Sequence, residues 1–350
     1  MHRAHSLPLA TLTLLNLLLA SACAREPVAA PAGLVQAQHT TMGSLLEISV
    51  AGPENPQMRA ALDESFRAVD RLDQLMSVWK PGSDILRLNQ SAGQIPVEVS
   101  QEVIDTLELA VKAGDWTDGK FDVTFGALAG LWKFDAQNQD DKIPDPAEVD
   151  RRLPLVDYQA LELNPQRRTA FLQRPGMSAH LGGIGKGYAV DRVAEILHKA
   201  GLRDFLIQFG GDLYVSGLRD GRPWTLGIRD PRGPADRTFA AVALSDATFS
   251  TSGDYERFFM ADGRRYHHIL DPDTGEPARG ARSVTIVAKT GAVADALSTG
   301  VFVMGPDAGM ALVERLPDVD ALIVTDRNQV LISSGLKDRV TILAQPTDAP

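Results

Sequence analysis

The sequence predicts an α+β protein, a single large domain with mixed and antiparallel sheets and packed helices. Three observations lead there: helical periodicity is confined to a few separate segments, short β runs crowd the second half, and no regular strand–helix–strand alternation joins them. The first strand is SLLEISV at 44–50, and a long amphipathic helix follows over 57–79, with Leu62, Phe66, Val69, Leu72 and Met76 at helical spacing. A second helix falls at 100–113, with Ser100 as its N-cap and Val103, Leu107 and Val111 on its apolar face. Gly-rich text at 119–130 leads into a polar, Pro-interrupted stretch at 135–154 that reads as a surface excursion. From 169 onward TAFLQ, FLIQF, DLYVSG, WTLGIRD and FAAVALS read as strands, and Asp262-Gly263 marks a hairpin between ERFFM and RRYHHIL. One helix at about 186–200 interrupts them and stops at Gly201. After the strand SVTIVAK come helices at about 292–303 and 307–316, then a hairpin from ALIVT to VLISS.

Composition narrows the function. With 35 Lys+Arg against 45 Asp+Glu, the formal charge is −10, which argues against a nucleic-acid partner or an anionic-membrane surface. A single cysteine excludes a disulfide scaffold. Any bound anion must therefore be held locally, by a few amides, a lysine or a metal. Residues 1–22 read as a secretion signal: Arg3, then the leucine-rich run from Leu7 to Ala20, then Ala20-Ser21-Ala22. Cys23 follows immediately, as in a bacterial lipobox, and is the candidate lipid attachment point. Residues 23–37 read as an Ala/Pro-rich flexible tether, and 38–345 as the folded domain.

Three segments carry chemistry. His180-Leu-Gly-Gly-Ile-Gly-Lys186-Gly sets four glycines and a lysine at a helix start, where close amides and the helix dipole favour an anion. It is neither a P-loop, since Gly187 follows Lys186, nor a dinucleotide fingerprint, since Tyr188 stands where the last glycine belongs. Asp295 and Thr299 are four apart, so on a helix both oxygens share a face and suit a hard cation. His267 and His268 are adjacent on a strand and point to opposite faces, so at most one serves a given site. Each segment alone also reads as ordinary structure: a glycine-rich turn, an acid in a first helical turn, a pair of structural histidines.

Their order is more specific. Met42-Gly43-Ser44, SVWKP with SDILRLN, Gly119-Lys120-Phe121-Asp122-Val-Thr124, LGGIGKGYAVD, FGGDLYVSG, TSGDYERFF with YHHILDPDTG, and ADALSTGVFVMG follow one another over about 40–335. Together they strongly resemble the ApbE family of FAD:protein FMN transferases. The resemblance implies an ApbE-like, T-fold-related domain that cleaves the diphosphate of FAD, places FMN on a Thr or Ser hydroxyl of a target protein and releases AMP. It implies Mg²⁺ held by Asp295, Thr299 and the carbonyls of Ser298 and Gly183. It implies an FAD pocket drawing on Met42, Trp79, Lys120, Phe121, Asp122, His180, Lys186 and Leu270, with His268 as the base for the acceptor hydroxyl. His180 stands where relatives commonly carry Asp, which removes a charge from that position. The implied setting is the periplasmic side of the inner membrane, lipid-anchored, with a flavoprotein subunit of a membrane electron-transfer complex as target. Two alternatives stay open: an FAD pyrophosphatase, with water as acceptor, and a non-catalytic flavin-binding lipoprotein.

Overall fold

The structure is a computed structural model that describes residues 33–134 and 142–349. Its centre is an eight-stranded sheet in the order Leu34–Thr41, Ser44–Ala51, Phe205–Phe209, Asp212–Ser216, Ala247–Gly253, Ala281–Ala288, Asp320–Thr325 and Val330–Ile332. Every neighbouring pair in it is antiparallel. Tight turns make this cheap in chain. Met42 and Gly43 both take positive φ, 47° and 69°, as a two-residue hairpin joining strands of right-handed twist requires. Gly210-Gly211 joins the third and fourth strands in another two-residue turn, with only Gly210 at positive φ, 62°.

Helices cover one face. Pro56–Met76 is opened by Asn55, whose Oδ1 accepts from Met58 N–H at 2.9 Å, with Pro56 in the first turn. It ends at Met76, short of the expected 79, because Ser77 is already extended. Its buried Leu62, Val69 and Leu72 join Val103 and Leu107 of Gln101–Trp116 and Val190, Val193 and Leu197 of Gly185–Lys199. All of them close over Leu46, Ile48, Phe205 and Ile207 of the sheet. Further along the sheet, Leu297 and Val301 of Gly291–Met304 pack on Val284 and Ile286, with Leu312 of Pro306–Val313 beside them. On the other face a three-stranded sheet of Trp224–Arg229, Thr238–Leu244 and Val340–Ile342 lays Trp224, Phe239 and Val242 against Val215, Phe249, Leu322 and Val324. The central sheet is thus covered on both sides, which is why all eight residues of Ala281–Ala288 are buried.

Several expectations change. The tether of 23–37 gives way to ordered edge strand from Leu34, which pairs with Ala51; the rest of the tether before Gly33, with Cys23 and the signal of 1–22, lies outside the described residues. Ser100 occupies the N-cap position but makes no capping bond through its hydroxyl; its N–H instead donates to Asp84 Oδ2 at 2.7 Å. Within the stretch read as a surface excursion, Pro146–Arg152 is a helix capped by Asp145, while 135–141 fall outside the described residues. Asp262, with φ 49°, and Gly263, with φ 72°, turn the hairpin of Phe258–Ala261 and Arg264–His267, as their Asp-Gly pair predicts.

Candidate active site

Two helices cross at their first turns and bring the glycine-rich segment to the acidic one. A Cβ on Gly187 would lie 2.1 Å from the Gly291 carbonyl oxygen, and one on Gly291 would lie 2.4 Å from that of Gly187. Only glycine at both positions allows backbone to touch backbone. Asp191 locks the crossing by accepting from Gly291 N–H at 2.5 Å and Ala292 N–H at 2.9 Å, capping the second helix from the first. Burial pushes its carboxyl up to about 6. Gly187 N–H then donates to Asp295 Oδ2 at 3.0 Å.

Beneath the crossing, neighbouring strands offer a layer of polar side chains. Asp212 and Ser250 are in register, and Ser250 Oγ donates to Asp212 Oδ1 at 2.5 Å. Lys186 Nζ donates to Asp212 Oδ2 at 2.5 Å. Ser298 Oγ lies 2.8 Å from Ser252 Oγ and 3.3 Å from Ser250 Oγ, and Ser252 Oγ lies 3.3 Å from Thr299 Oγ1. Asp295 is only 4% exposed, and burial, reinforced by the charge of Asp212, pushes it up to about 7. Burial also opposes the Lys186 ammonium, but Asp212 and Asp295 outweigh it and hold that pKa above the usual lysine range.

The four residues implied for a metal are brought together. Asp295, Ser298 and Thr299 share Gly291–Met304, and a Cβ on Gly183 would meet Thr299 Oγ1 at 3.2 Å. Among the described residues no group of three or more His, Cys, Asp or Glu forms a metal cage. What is present is one carboxylate whose Oδ1 makes no hydrogen bond among the described residues, a threonine hydroxyl and backbone carbonyls. That all-oxygen set fits a hard cation that keeps part of its own shell for phosphate or water. The Ser298 hydroxyl donates to the Asp295 carbonyl at 2.9 Å and faces the strand serines.

His268 and His267 separate as their alternation predicts. His267 is buried edge-on to Phe302, with Nε2 3.0 Å from the Ala278 carbonyl. His268 keeps a buried Nδ1 without a partner among the described residues, and burial, with His267, Arg257 and Lys186 adding to it, pushes its imidazole down to about 4. It is held neutral.

The residues implied for flavin binding fall into three groups. Met42 reaches the glycine-rich turn, since a Cβ on Gly185 would lie 3.6 Å from its Cε, and Trp79 stands in solvent at 83% exposure. Lys120 bridges Asp271 and Asp273, both at 2.8 Å, in the turn after Leu270. Leu270 packs beside Trp132, Phe259 and Tyr266. The others are engaged within the fold. Phe121 is buried under Gly183 and Gly300. Asp122 accepts from Thr124 N–H and Oγ1 and from Tyr158 N–H, so its carboxylate holds a loop. His180 Nδ1 accepts from Gly182 N–H at 3.0 Å, and its ring leans on Phe125. Asp212, Ser250 and Ser252 were not among the sequence candidates. Asp212 had a signal, an acid straight after Gly210-Gly211 at the start of an apolar strand; Ser252 opens the SGDYER run of its motif, and Ser250 had no signal, since their strand is half polar.

Comparison with known proteins decides the family. The family model described as "ApbE family" matches residues 42–323, most of the chain. The chain belongs to the ApbE family. Among curated members, the FAD:protein FMN transferase of Treponema pallidum (strain Nichols) is 34% identical over 302 residues, covering 82% of this chain and 83% of that protein. The FAD:protein FMN transferase of Vibrio cholerae is 32% identical over 329 residues, covering 93% and 96%. The solved ApbE protein of Thermotoga maritima superposes with a TM-score of 0.78 at 32% identity, covering 87% of this chain and 98% of its own. The crossing at Gly187 and Gly291 and His268, just after the hairpin, all lie within the ApbE match.

Proposed function

We propose that this chain transfers FMN from FAD to a threonine or serine hydroxyl of a target protein and releases AMP. The observation that carries this reading is a neutral histidine whose Nδ1 has no partner among the described residues, within electrostatic reach of Lys186, which in turn lies beside Asp295. The relatives named FAD:protein FMN transferase support it.

Asp295, Thr299, Gly183 and Ser298 would hold Mg²⁺, which when bound would offset charge on the diphosphate. His268 takes the proton of the acceptor hydroxyl as its oxygen bonds to the FMN-side phosphorus. The bond between that phosphorus and the bridging oxygen breaks, and AMP leaves with the oxygen and the electron pair. Lys186, fixed by Asp212, keeps the floor of the site electrostatically balanced. Met42 borders the glycine-rich turn, and exposed Trp79 offers an aromatic face for a flavin or adenine ring.

The setting proposed is export, anchoring through an acylated Cys23 on the periplasmic side of the inner membrane, and a membrane electron-transfer flavoprotein as target. The test is intact-mass measurement of a threonine-containing acceptor after incubation with this protein, FAD and Mg²⁺. A gain equal to FMN minus water supports the transfer; free FMN and AMP with an unmodified acceptor would replace it with hydrolysis.

A further inference from the structure

Two lysines stand where a diphosphate is expected, and neither has charge to spare. Lys186 is paired with Asp212 at 2.5 Å and lies beside Asp295. Lys120 is shared between Asp271 and Asp273. A ligand with two negative charges meets, at both lysines, a group already matched or outnumbered by carboxylates.

Arg257 is different. It is exposed, and among the described residues its guanidinium makes no ion pair or hydrogen bond. The nearby acids are taken elsewhere: Glu256 by Arg229 at 3.4 Å, and Asp254 by Arg232 at 2.6 Å. Arg257 stands opposite His268, one step beyond the last ladder pair of the hairpin, Phe258 and His267, and its carbonyl accepts from His268 N–H at 3.1 Å. Residues opposed in this way project from the same side of a β ribbon. Its positive charge is felt at His180, Lys186 and His268, which come from two separate parts of the chain.

We propose that Arg257 is the diphosphate-binding cation of the site, its guanidinium donating to phosphate oxygens of FAD on the side of the hairpin that carries His268. Guanidinium suits this task, since its planar fork grips two phosphate oxygens at once. The proposal rests on the flavin-transfer reading for the identity of the nucleotide; the anion site itself rests on the hairpin geometry and on the charges around it.

The experiment compares Arg257→Gln and Arg257→Lys with the unaltered full-length chain, titrating FAD, ADP and adenosine calorimetrically and measuring FMN transfer. Arg257→Gln should weaken FAD and ADP by about 10- to 100-fold, the worth of a charge-assisted hydrogen bond, while adenosine is unchanged. Arg257→Lys should recover part of the loss, because charge returns without the fork. The unfolding midpoint should not move, since the side chain is exposed and unpaired. Affinities for FAD and ADP within about two-fold of the unaltered chain would overturn the proposal. So would an equal loss for adenosine, which carries no phosphate. If the unaltered chain transfers no FMN while Arg257→Gln still loses ADP, the transferase reading falls and the anion site stands.

Discussion

Gly187 and Gly291 touch through backbone alone, and that contact brings the glycine-rich segment to the acidic one. The close approach lets Gly187 N–H reach the Asp295 carboxylate and lets Asp191 cap the neighbouring helix.

Gly187→Ala tests the crossing. Alanine is the better helix former by about 1 kcal/mol, yet its Cβ would sit 2.1 Å from the Gly291 oxygen and 2.7 Å from Asp295 Cβ. Overpacking should win, with a net loss of about 1–3 kcal/mol in urea denaturation and a marked fall in FMN transfer. Gly33→Ala, which would meet nothing within 4 Å, should stay within about 0.5 kcal/mol of the unaltered protein.

His268 sets the acid limb. Burial lowers its pKa from 6.5 to about 4, so the fold favours the neutral ring. The associated stability is present above about 6.5 and is lost as pH falls through about 4. A neutral base across this range predicts no histidine limb in the transfer rate between about pH 5 and 8, measured at saturating FAD. An inflection near 6.5 would refute it. His268→Ala should cut transfer by about 10²–10⁴-fold while leaving FAD affinity in place.

Asp295→Asn separates metal binding from folding. Mg²⁺ should raise the thermal midpoint of the unaltered chain and leave that of the variant unmoved. Without Mg²⁺ the variant should be no less stable at pH 8, because burial already lifts this carboxyl to about 7 and asparagine can still accept from Gly187 N–H. A Mg²⁺ shift that survives the substitution would place the cation elsewhere.

Asp254 lies in the TSGDYERFF motif, but its partner is structural. It forms a bidentate pair with Arg232 at 2.6 and 2.7 Å, and both side chains are under a tenth exposed. Asp254→Ala strands a buried guanidinium and should cost about 3–5 kcal/mol in urea denaturation. The double change Arg232→Met with Asp254→Leu should recover most of that loss.

The sequence made much of this legible, and the gaps have physical causes. The helices at 57–79, 100–113 and 186–200 show because one face of each meets the sheet and the other meets water. The strand Ala247–Gly253 is hidden because its apolar start gives way to serines and threonines that bond to one another across the site. The first half of Leu34–Thr41, up to Ala37, reads as tether because LVQAQHTT is polar at an edge with one hydrogen-bonding neighbour. Among candidate residues, spacing pairs Asp295 with Thr299 and limits a site to one of His267 and His268, and only the family resemblance singles out His268. Asp122 and Lys120 look like ligands in one dimension, and only the fold shows the Asp122 carboxylate engaged by Thr124 and Tyr158 and the Lys120 ammonium paired with Asp271 and Asp273. Arg257 was visible in its motif, but its lack of a partner is a property of three dimensions.

The site gathers Met42 from the first hairpin turn, the glycines of 183–187, the serines of 250–252, His268, and Asp295 to Thr299. No contiguous piece of chain holds more than a fragment of it. A polypeptide still being threaded through a membrane, or one cut short before Asp295, has neither the carboxylate cradle nor the helix that Asp191 caps. Completion of the fold is therefore a precondition for the site: on the export and transfer reading proposed above, a chain in transit offers FAD no assembled cradle.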